Sequence, residues 1–325
     1  MESRTMVLEG ELDFNVPLAN KPCTTWYTIF GDLKSGSRPL VCLQGGPGMP
    51  HNYMRPLKNI AISHGVPIIM YDQLGSGKST YLPEKAGDGE FRTVDLFLSE
   101  LENLLSKLGI QDDYDLLGQS WGGMLAASHA IRQPQGLHRL ILADTLTSMD
   151  SWVDAVNGLV DELPDNIKET IKNDQKGKTT DPEEFQAAMQ VFYEKHFCRV
   201  KPFPDDLNHC FAAVVADPTV YFTMCVPLPT PCLIQVLTSV RHGTSEFLVI
   251  GTLQGWTIEA ELRKINVPTL LINCEYDPAT DKVMKPFFKA IGKVKWVRLK
   301  ESSHMPQFEQ LEEFLEAVTS FIRSV

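Results

Sequence analysis

The chain has 325 residues, of which 43% are hydrophobic and 22% are charged, and its formal net charge is −11. It is long enough for one large domain with a sizeable insertion. Its acidic balance argues against partners such as nucleic acid or an anionic membrane, which require basic surfaces. No apolar segment typical of a secretory signal follows Met1, and no run of about 18 apolar residues occurs, so a cytoplasmic location is expected. The seven cysteines are scattered without CxxC spacing, which indicates neither a disulfide framework nor a metal site.

Short apolar runs that end in turn signals recur along the chain and are predicted to be strands, several of them buried and parallel. They span residues 25–30, 39–43, 67–71, 114–117, 137–143, 267–273 and 294–299. Helical patterns between them cover residues 93–108, 122–132, 281–291 and 311–322. This alternation predicts an α/β fold, a mostly parallel sheet with helices on both faces.

The alternation breaks between residues 148 and 255, where helical patches such as residues 183–197 occur with little strand character. An insertion folded over the sheet gives such a pattern. We predict a mainly helical cap inserted after the sixth strand. The predicted organisation is a first core part (1–147), the cap (148–255) and a second core part (256–325).

A serine stands on a predicted turn from strand to helix, in the run Gly118-Gln119-Ser120-Trp121-Gly122. The GxSxG pattern is typical of a nucleophile elbow, in which a sharp turn exposes the serine hydroxyl at the edge of the sheet. Glycines are needed at both ends because strand and helix backbones approach too closely there for Cβ atoms. Ser120 is therefore the candidate nucleophile.

A serine nucleophile needs a base and an acid that orients the base, and in this type of fold they follow in the order serine, acid, histidine. Of the eight histidines, His304 alone follows the last predicted strand and precedes the closing helix, which makes it the candidate base. Three acids are candidates for its partner. Asp277 is favoured because Glu275 still belongs to the exit of its strand, and Asp144 follows an earlier strand.

The negative oxygen that forms during acyl transfer needs backbone donors, one from the residue after the nucleophile and one from an early loop of the sheet. Trp121 is the residue after the serine. The early loop is predicted to be the run Gly45-Gly46-Pro47-Gly48, where glycines let the backbone pass close to a substrate carbonyl. The predicted donors are Gly45, Gly46 and Trp121, and the mechanism requires no metal or organic cofactor.

Four segments together resemble the proline iminopeptidase family of α/β-hydrolases. They are Gln44 to Gly48 (QGGPG), Tyr71 to Ser79 (YDQLGSGKS), Gly118 to Gly123 (GQSWGG) and Glu275 to Asp277 (EYD). The similarity runs from about Thr25 to the C-terminus, and the combination is more specific than GxSxG alone. The resemblance implies an α/β-hydrolase fold and release of an N-terminal residue, often proline, through an acyl-enzyme. It also implies Ser120, Asp277 and His304 as the triad.

An exopeptidase must bind a free α-amino group, for which a buried carboxylate is a natural partner. Members of the family carry a cap glutamate in a GPSEF-like segment, which corresponds here to Gly243 to Phe247 and implies Glu246 as the anchor. Two positions depart from the family. Pro278 stands where some relatives have a second glutamate, which weakens the aminopeptidase interpretation, and Gln44 replaces the histidine usually found before GGPG.

Residues 225–241 intervene where relatives run almost directly from the preceding segment into the GPSEF-like segment. This stretch is either an extra lid element or sequence from an intron retained in the gene model. We favour the second interpretation, which would be excluded if the segment is present in the sequenced transcript. A genuine insertion would displace Glu246 from the pocket.

The sequence thus predicts a serine hydrolase that releases proline or another small or apolar N-terminal residue from a small peptide or amino-acid amide. An amino-acid amidase or an esterase of a secondary-metabolite pathway is the alternative on the same triad. A ligand-binding receptor on this fold is disfavoured because such a protein would typically lose a triad member, and all three are present.

Overall fold

A computed structural model of the protein describes residues 6–175, 181–225 and 249–323. Within these residues, eight strands form one sheet in the order β1-β2-β4-β3-β5-β6-β7-β8. The strands are β1 (Val7–Phe14), β2 (Cys23–Phe30), β3 (Leu40–Leu43), β4 (Ile68–Tyr71), β5 (Tyr114–Gln119), β6 (Leu137–Ala143), β7 (Thr269–Cys274) and β8 (Val294–Leu299). Strands β3 to β8 are parallel, whereas β1 and β2 are antiparallel to their neighbours. The predicted mostly parallel sheet is confirmed.

Strand β1 was not predicted from the sequence. It pairs along its whole length with β2 at the edge of the sheet, and most of its side chains are exposed. Glu9, Glu11 and Asp13 interrupt its apolar residues. A half-exposed edge strand lacks the continuous apolar run by which buried parallel strands are recognised.

Helices cover both faces of the sheet, as predicted. The described helices are α1 (Lys58–His64), α2 (Val94–Lys107), α3 (Trp121–Ile131), α4 (Met149–Asp161), α5 (Asp165–Gln175), α6 (Pro182–His196), α7 (Asp205–Ala216), α8 (Thr219–Cys225), α9 (Asp281–Ala290), α10 (Pro306–Glu309) and α11 (Leu311–Ile322). One buried cluster joins α2, α3 and α9 to the sheet, and another joins α1 and α11 to its opposite face. Burying the strands on both faces explains why their sequences are apolar without alternation.

Helices α4 to α8 lie between β6 and β7, in the interval predicted to form the cap. Helices α4, α5 and α6 share a core of their own that includes Val160, Ile171 and Phe192. Helix α7 contacts the short 3-10 helix His51–Leu57, which follows β3. The exact domain boundaries stay a prediction. Apart from Cys225, which ends α8, the stretch 225–241 lies outside the described residues.

In the part of the chain that the structure describes, we find no helix long and apolar enough to cross a membrane.

Candidate active site

Ser120 lies in the turn between β5 and α3 in a strained backbone conformation, with φ 57° and ψ −124°. Residues other than glycine rarely adopt a positive φ, and such strain persists only where surrounding contacts enforce it. Here the Ser120 amide donates to the Ala143 carbonyl at 3.1 Å, and the Thr145 hydroxyl donates to the Ser120 carbonyl at 2.7 Å. Strand β6 and the residues after it therefore hold the turn in place.

The glycines on either side of Ser120 have no room for a side chain. A Cβ atom on Gly118 would stand 2.1 Å from the Gly122 carbonyl oxygen, and one on Gly122 would stand 2.1 Å from the Leu43 carbonyl oxygen. Both distances are far below any van der Waals contact. The structure thus confirms the prediction that strand and helix backbones approach closely at these glycines.

His304 and Asp277 are in direct contact. His304 Nδ1 lies 2.5 Å from Asp277 Oδ2, and both side chains are buried. The Ala279 amide donates to the other oxygen of Asp277. This N–H donor holds the carboxylate so that its other oxygen faces the imidazole.

The two other candidate acids, Glu275 and Asp144, do not contact His304 in this way. Glu275 is exposed beside the strand exit. Asp144 is fully buried at the end of β6, and neither of its oxygens has a hydrogen-bond partner among the described residues. Burial, reinforced by the negative charge of Asp277, raises the pKa of Asp144 well above its ordinary value. Its surroundings therefore favour the neutral form of the Asp144 carboxyl over the charged form.

The loop before His304 is clamped by Glu309, the last residue of α10. Its carboxylate accepts hydrogen bonds from the Ser302 hydroxyl at 2.8 Å, the Ser303 hydroxyl at 2.6 Å and the Ser303 amide. The Tyr276 amide in turn donates to the Ser302 carbonyl at 3.0 Å, which connects this loop to that of Asp277. Asp277 and His304 are thus fixed relative to each other through their backbones as well as through their side chains.

Two contacts connect the end of α6 to the Asp277 loop. His196 Nδ1 donates to the Tyr276 carbonyl at 2.7 Å, and the Arg199 guanidinium lies 3.7 Å from the centre of the Tyr276 ring. Burial lowers the pKa of His196, so it stays neutral with its proton on Nδ1. The segment at the end of α6 thereby helps to hold the loop that carries Asp277.

The predicted oxyanion donors need one correction. The Gly45 amide donates to the Tyr53 hydroxyl at 2.5 Å, so this amide is occupied rather than free. The Trp121 amide is the first of α3 and has no acceptor inside the helix. Neither it nor the Gly46 amide has an acceptor elsewhere among the described residues. Gly46 has φ 114°, which only glycine adopts readily. Gly46 and Trp121 remain as candidate donors, and Gly45 does not.

The side chain of Trp121 is anchored below the turn. It is buried, its indole nitrogen donates to Gln73 Oε1 at 2.9 Å, and its ring packs edge-on against Phe97 at 5.6 Å between centroids. Gln73 belongs to the YDQLGSGKS segment. This contact gives that segment a physical role, because it holds the residue whose amide stands next to the candidate nucleophile.

A cavity of about 370 Å³ contacts both Ser120 and His304. Its wall is mostly apolar and includes residues of the core and of the predicted cap, among them Met49, Met124, Met149, Met189, Phe203 and Phe211. Trp152 and Phe197 also line it, with ring centroids 5.8 and 5.4 Å from that of His304. Such a wall excludes water from the imidazole and suits an apolar substrate group.

The polar side chains in the described cavity wall are mostly uncharged. They include Gln186, Gln190 and Asn208 from the predicted cap, and no aspartate or glutamate belongs to the described part of the wall. Glu246 lies outside the described residues, so its role as amine anchor stays a prediction. Pro278, the position where some relatives have a glutamate, does line the cavity.

Sequence reasoning missed several side chains that position these groups. Gln73 and Gln119 stand inside quoted motifs, and their polarity next to buried strands was an available signal. Tyr53 and Glu309 stand in a short 3-10 helix and a one-turn helix, where no pattern identifies their role. Their partners become evident only when distant loops are brought together.

Comparison with known proteins agrees with this architecture. Residues 38–203 match the family model described as alpha/beta hydrolase fold. The sheet order, the strained serine after β5 and the histidine–aspartate contact after β7 and β8 fit that match, and the molecule is an α/β-hydrolase.

Three relatives narrow the assignment. The proline iminopeptidase of Saccharolobus solfataricus is 33% identical over 294 residues, which cover 90% of this chain and 87% of the relative. The crystal structure of a Mycobacterium smegmatis proline iminopeptidase is 35% identical with a TM-score of 0.82, covering 96% of this chain and 97% of that one. The crystal structure of VinJ is 40% identical with a TM-score of 0.84, covering 96% and 98%. The chain belongs to the proline iminopeptidase family and is an enzyme of the hydrolase class.

Proposed function

We propose that the protein is a serine hydrolase that releases an N-terminal residue, proline or another small or apolar one, from small peptides or amides through an acyl-enzyme. The observation that carries this proposal is the contact between His304 Nδ1 and Asp277 Oδ2 beside the cavity that Ser120 lines. A neutral imidazole held in this way keeps Nε2 free to accept the proton of a serine hydroxyl.

In the proposed mechanism His304 takes the hydroxyl proton of Ser120 as the serine oxygen attacks the carbonyl carbon of the first residue. The amides of Gly46 and Trp121 stabilise the oxygen that becomes negative. His304 then gives its proton to the leaving amine, and the C–N bond breaks to leave an ester on Ser120. Water, deprotonated by His304, hydrolyses the ester and regenerates the serine. Asp277 keeps the imidazole in the required tautomer and stabilises its protonated form.

The substrate part of the proposal rests on the relatives named proline iminopeptidase and on the apolar cavity wall. A volume of about 370 Å³ accommodates a proline or a larger apolar residue together with part of its leaving group. Glu246 is the proposed partner of the α-ammonium group, since the described wall contributes no acid.

The second candidate is an amino-acid amidase or an esterase on the same triad. Pro278 in the cavity wall and the missing carboxylate among the described wall residues favour it. An ester needs no free amine and therefore no anionic anchor, so these features favour the esterase, whereas an amino-acid amide keeps its α-amine and would still need a partner for it.

A substrate panel separates the two candidates. It contains the β-naphthylamides of proline and alanine, their N-acetylated forms, an amino-acid amide and p-nitrophenyl acetate, with Ser120→Ala as the blank. The exopeptidase proposal expects cleavage confined to free amines and lost in Glu246→Gln, but kept in Glu313→Gln, a matched change of an exposed acid on α11. Activity only on the ester or the blocked substrates would refute it in favour of the second candidate.

A further inference from the structure

Two buried side chains, Tyr53 and Gln119, connect the three loops that meet at the candidate nucleophile. The Tyr53 hydroxyl accepts a hydrogen bond from the Gly45 amide at 2.5 Å and donates to Gln119 Oε1 at 2.8 Å. Gln119 Nε2 then donates to the His304 carbonyl at 2.9 Å. The chain of bonds therefore runs from the glycine loop, through the residue before Ser120, to the backbone of His304.

The direction of each bond in this chain is fixed. Tyr53 has one proton to donate, and burial raises its pKa, so the hydroxyl stays protonated and gives that proton to Gln119. Because Gln119 Oε1 accepts this bond, its amide group must face His304. Both side chains are at most 1% exposed, so water cannot replace a lost partner from bulk solvent.

The glycine loop also packs directly against the elbow. A Cβ atom on Gly45 would stand 3.0 Å from Ser120 Cβ and 3.0 Å from the Tyr53 hydroxyl, so the backbone at Gly45 is held between these two groups. Because the Gly45 amide donates to Tyr53, it is not available to a substrate oxygen. The next amide, that of Gly46, is left for a substrate oxygen.

We propose that Tyr53 and Gln119 are positioning residues for the reaction. They hold the Gly46 donor, Ser120 and the His304 base at fixed distances from one another. This inference rests on the proposed serine-hydrolase mechanism and extends it to two side chains that touch no reacting atom. A shift of the glycine loop or of the His304 backbone misaligns donor and base in the transition state more than it weakens substrate binding. Misplacement on the order of 1 Å is enough to cost about a hundredfold in rate.

The test compares Tyr53→Phe with a matched control, Tyr114→Phe. Tyr114 is equally buried, and its hydroxyl bonds His129 Nε2 at 2.7 Å at the opposite end of β5. Each variant removes one buried hydroxyl, which makes two hydrogen bonds at Tyr53 and one at Tyr114. Two rates and one KM are measured: kcat and KM for the best panel substrate, and the rate at which a fluorophosphonate labels Ser120.

We expect Tyr53→Phe to lower kcat and the labelling rate by about ten- to a hundredfold with KM changed less than threefold. Tyr114→Phe should lower the melting temperature by a similar amount and leave both rates within twofold of wild type. Equal rates in Tyr53→Phe and wild type would overturn the proposal and leave the hydroxyl as a structural group.

A second variant, Gln119→Met, tests the proposal independently in case Tyr53→Phe does not fold. Gln119→Met keeps the length of the side chain and removes both of its bonds, so we expect a loss of about tenfold or more in the same two rates. Because the links act in series, the double variant should lose no more than the larger single loss. Full multiplication of the two losses would contradict a single connected chain.

The outcomes separate this inference from the proposed function. Absence of labelling in wild type would refute the serine hydrolase and the positioning role together. Labelling without cleavage of any free-amine substrate would refute only the exopeptidase assignment, because the labelling rates still compare the variants.

Discussion

The two sides of the cavity are built from different kinds of contact. On the core side, directional hydrogen bonds fix the reacting groups: Glu309 clamps the loop before His304, and Tyr53 holds the glycine loop. On the side of helices α4 to α8, the wall is formed largely by apolar side chains such as Phe211, with uncharged amides among them. Directional bonds set distances and angles, whereas apolar packing sets volume and shape. The core side should therefore control mainly kcat. The other side should control mainly KM, apart from the end of α6, where His196 holds the Asp277 loop.

The largest effects are expected from Ser120→Ala and His304→Ala. Each should lower kcat on the order of 10⁴- to 10⁶-fold, because members of a triad act as a unit and the loss of one removes the function of all. Steady-state hydrolysis of proline β-naphthylamide measures the loss. Unchanged far-ultraviolet circular dichroism is the control for folding. A residual rate within a hundredfold of wild type would exclude the residue as nucleophile or base.

Asp277→Asn should lower kcat by about 10⁴-fold, because an amide stabilises the wrong tautomer of the imidazole. Asp144→Asn is its matched control. Asp144 does not contact His304, and burial raises the pKa of its carboxyl, so an amide of the same shape should leave kcat within about threefold. If Asp144→Asn proved the more harmful of the two, the assignment of the acid would have to be exchanged.

Glu309→Gln should lower kcat by about ten- to a hundredfold and the free energy of unfolding by about 1–3 kcal/mol. The amide loses charge and places a donor opposite the hydroxyl and amide donors of Ser302 and Ser303. Exposed Glu313 on the neighbouring helix supplies the matched control, Glu313→Gln. Thermal unfolding and kcat are measured on the same samples, and a fall in stability with intact kcat would confine Glu309 to a structural role.

Phe211→Ala should raise KM for apolar substrates by about tenfold and leave kcat within about threefold. Removing part of an apolar wall weakens binding by about 1–2 kcal/mol but moves no reacting group. Phe288 on α9 lies outside the cavity wall and is 47% exposed, so Phe288→Ala is the control. A dominant fall in kcat would mean that this side of the cavity also sets the reaction geometry.

The smallest effect is expected from a substitution that lies away from both sides of the cavity. Arg132 contacts Asp95 and Glu102 on the surface through exposed ion pairs, which contribute little in water. Arg132→Ala should change the free energy of unfolding by less than about 0.5 kcal/mol and kcat by less than twofold. Chemical denaturation and the standard assay are sufficient to check both.

The sequence predicted site residues best where a local motif, or the order of strands along the chain, identifies the residue. The strained turn at Ser120 requires glycines that are visible in the motif, and the loops of Asp277 and His304 follow apolar strands. Gly45 was predicted to be a free donor because nothing near it in sequence indicates Tyr53 as its acceptor. Strand β1 escaped prediction because the stability of an edge strand comes from its pairing with β2 rather than from an apolar run.

The order of the candidate residues along the chain has a consequence for biosynthesis. Ser120 is translated before helices α4 to α8, whereas Asp277 follows β7 and His304 follows β8. Strand β7 pairs in parallel with β6, and β8 pairs in parallel with β7. A growing chain therefore carries the proposed nucleophile, Ser120, without its proposed base until the final strands leave the ribosome. The proposed catalytic site can assemble only after β7 and β8 have joined the sheet.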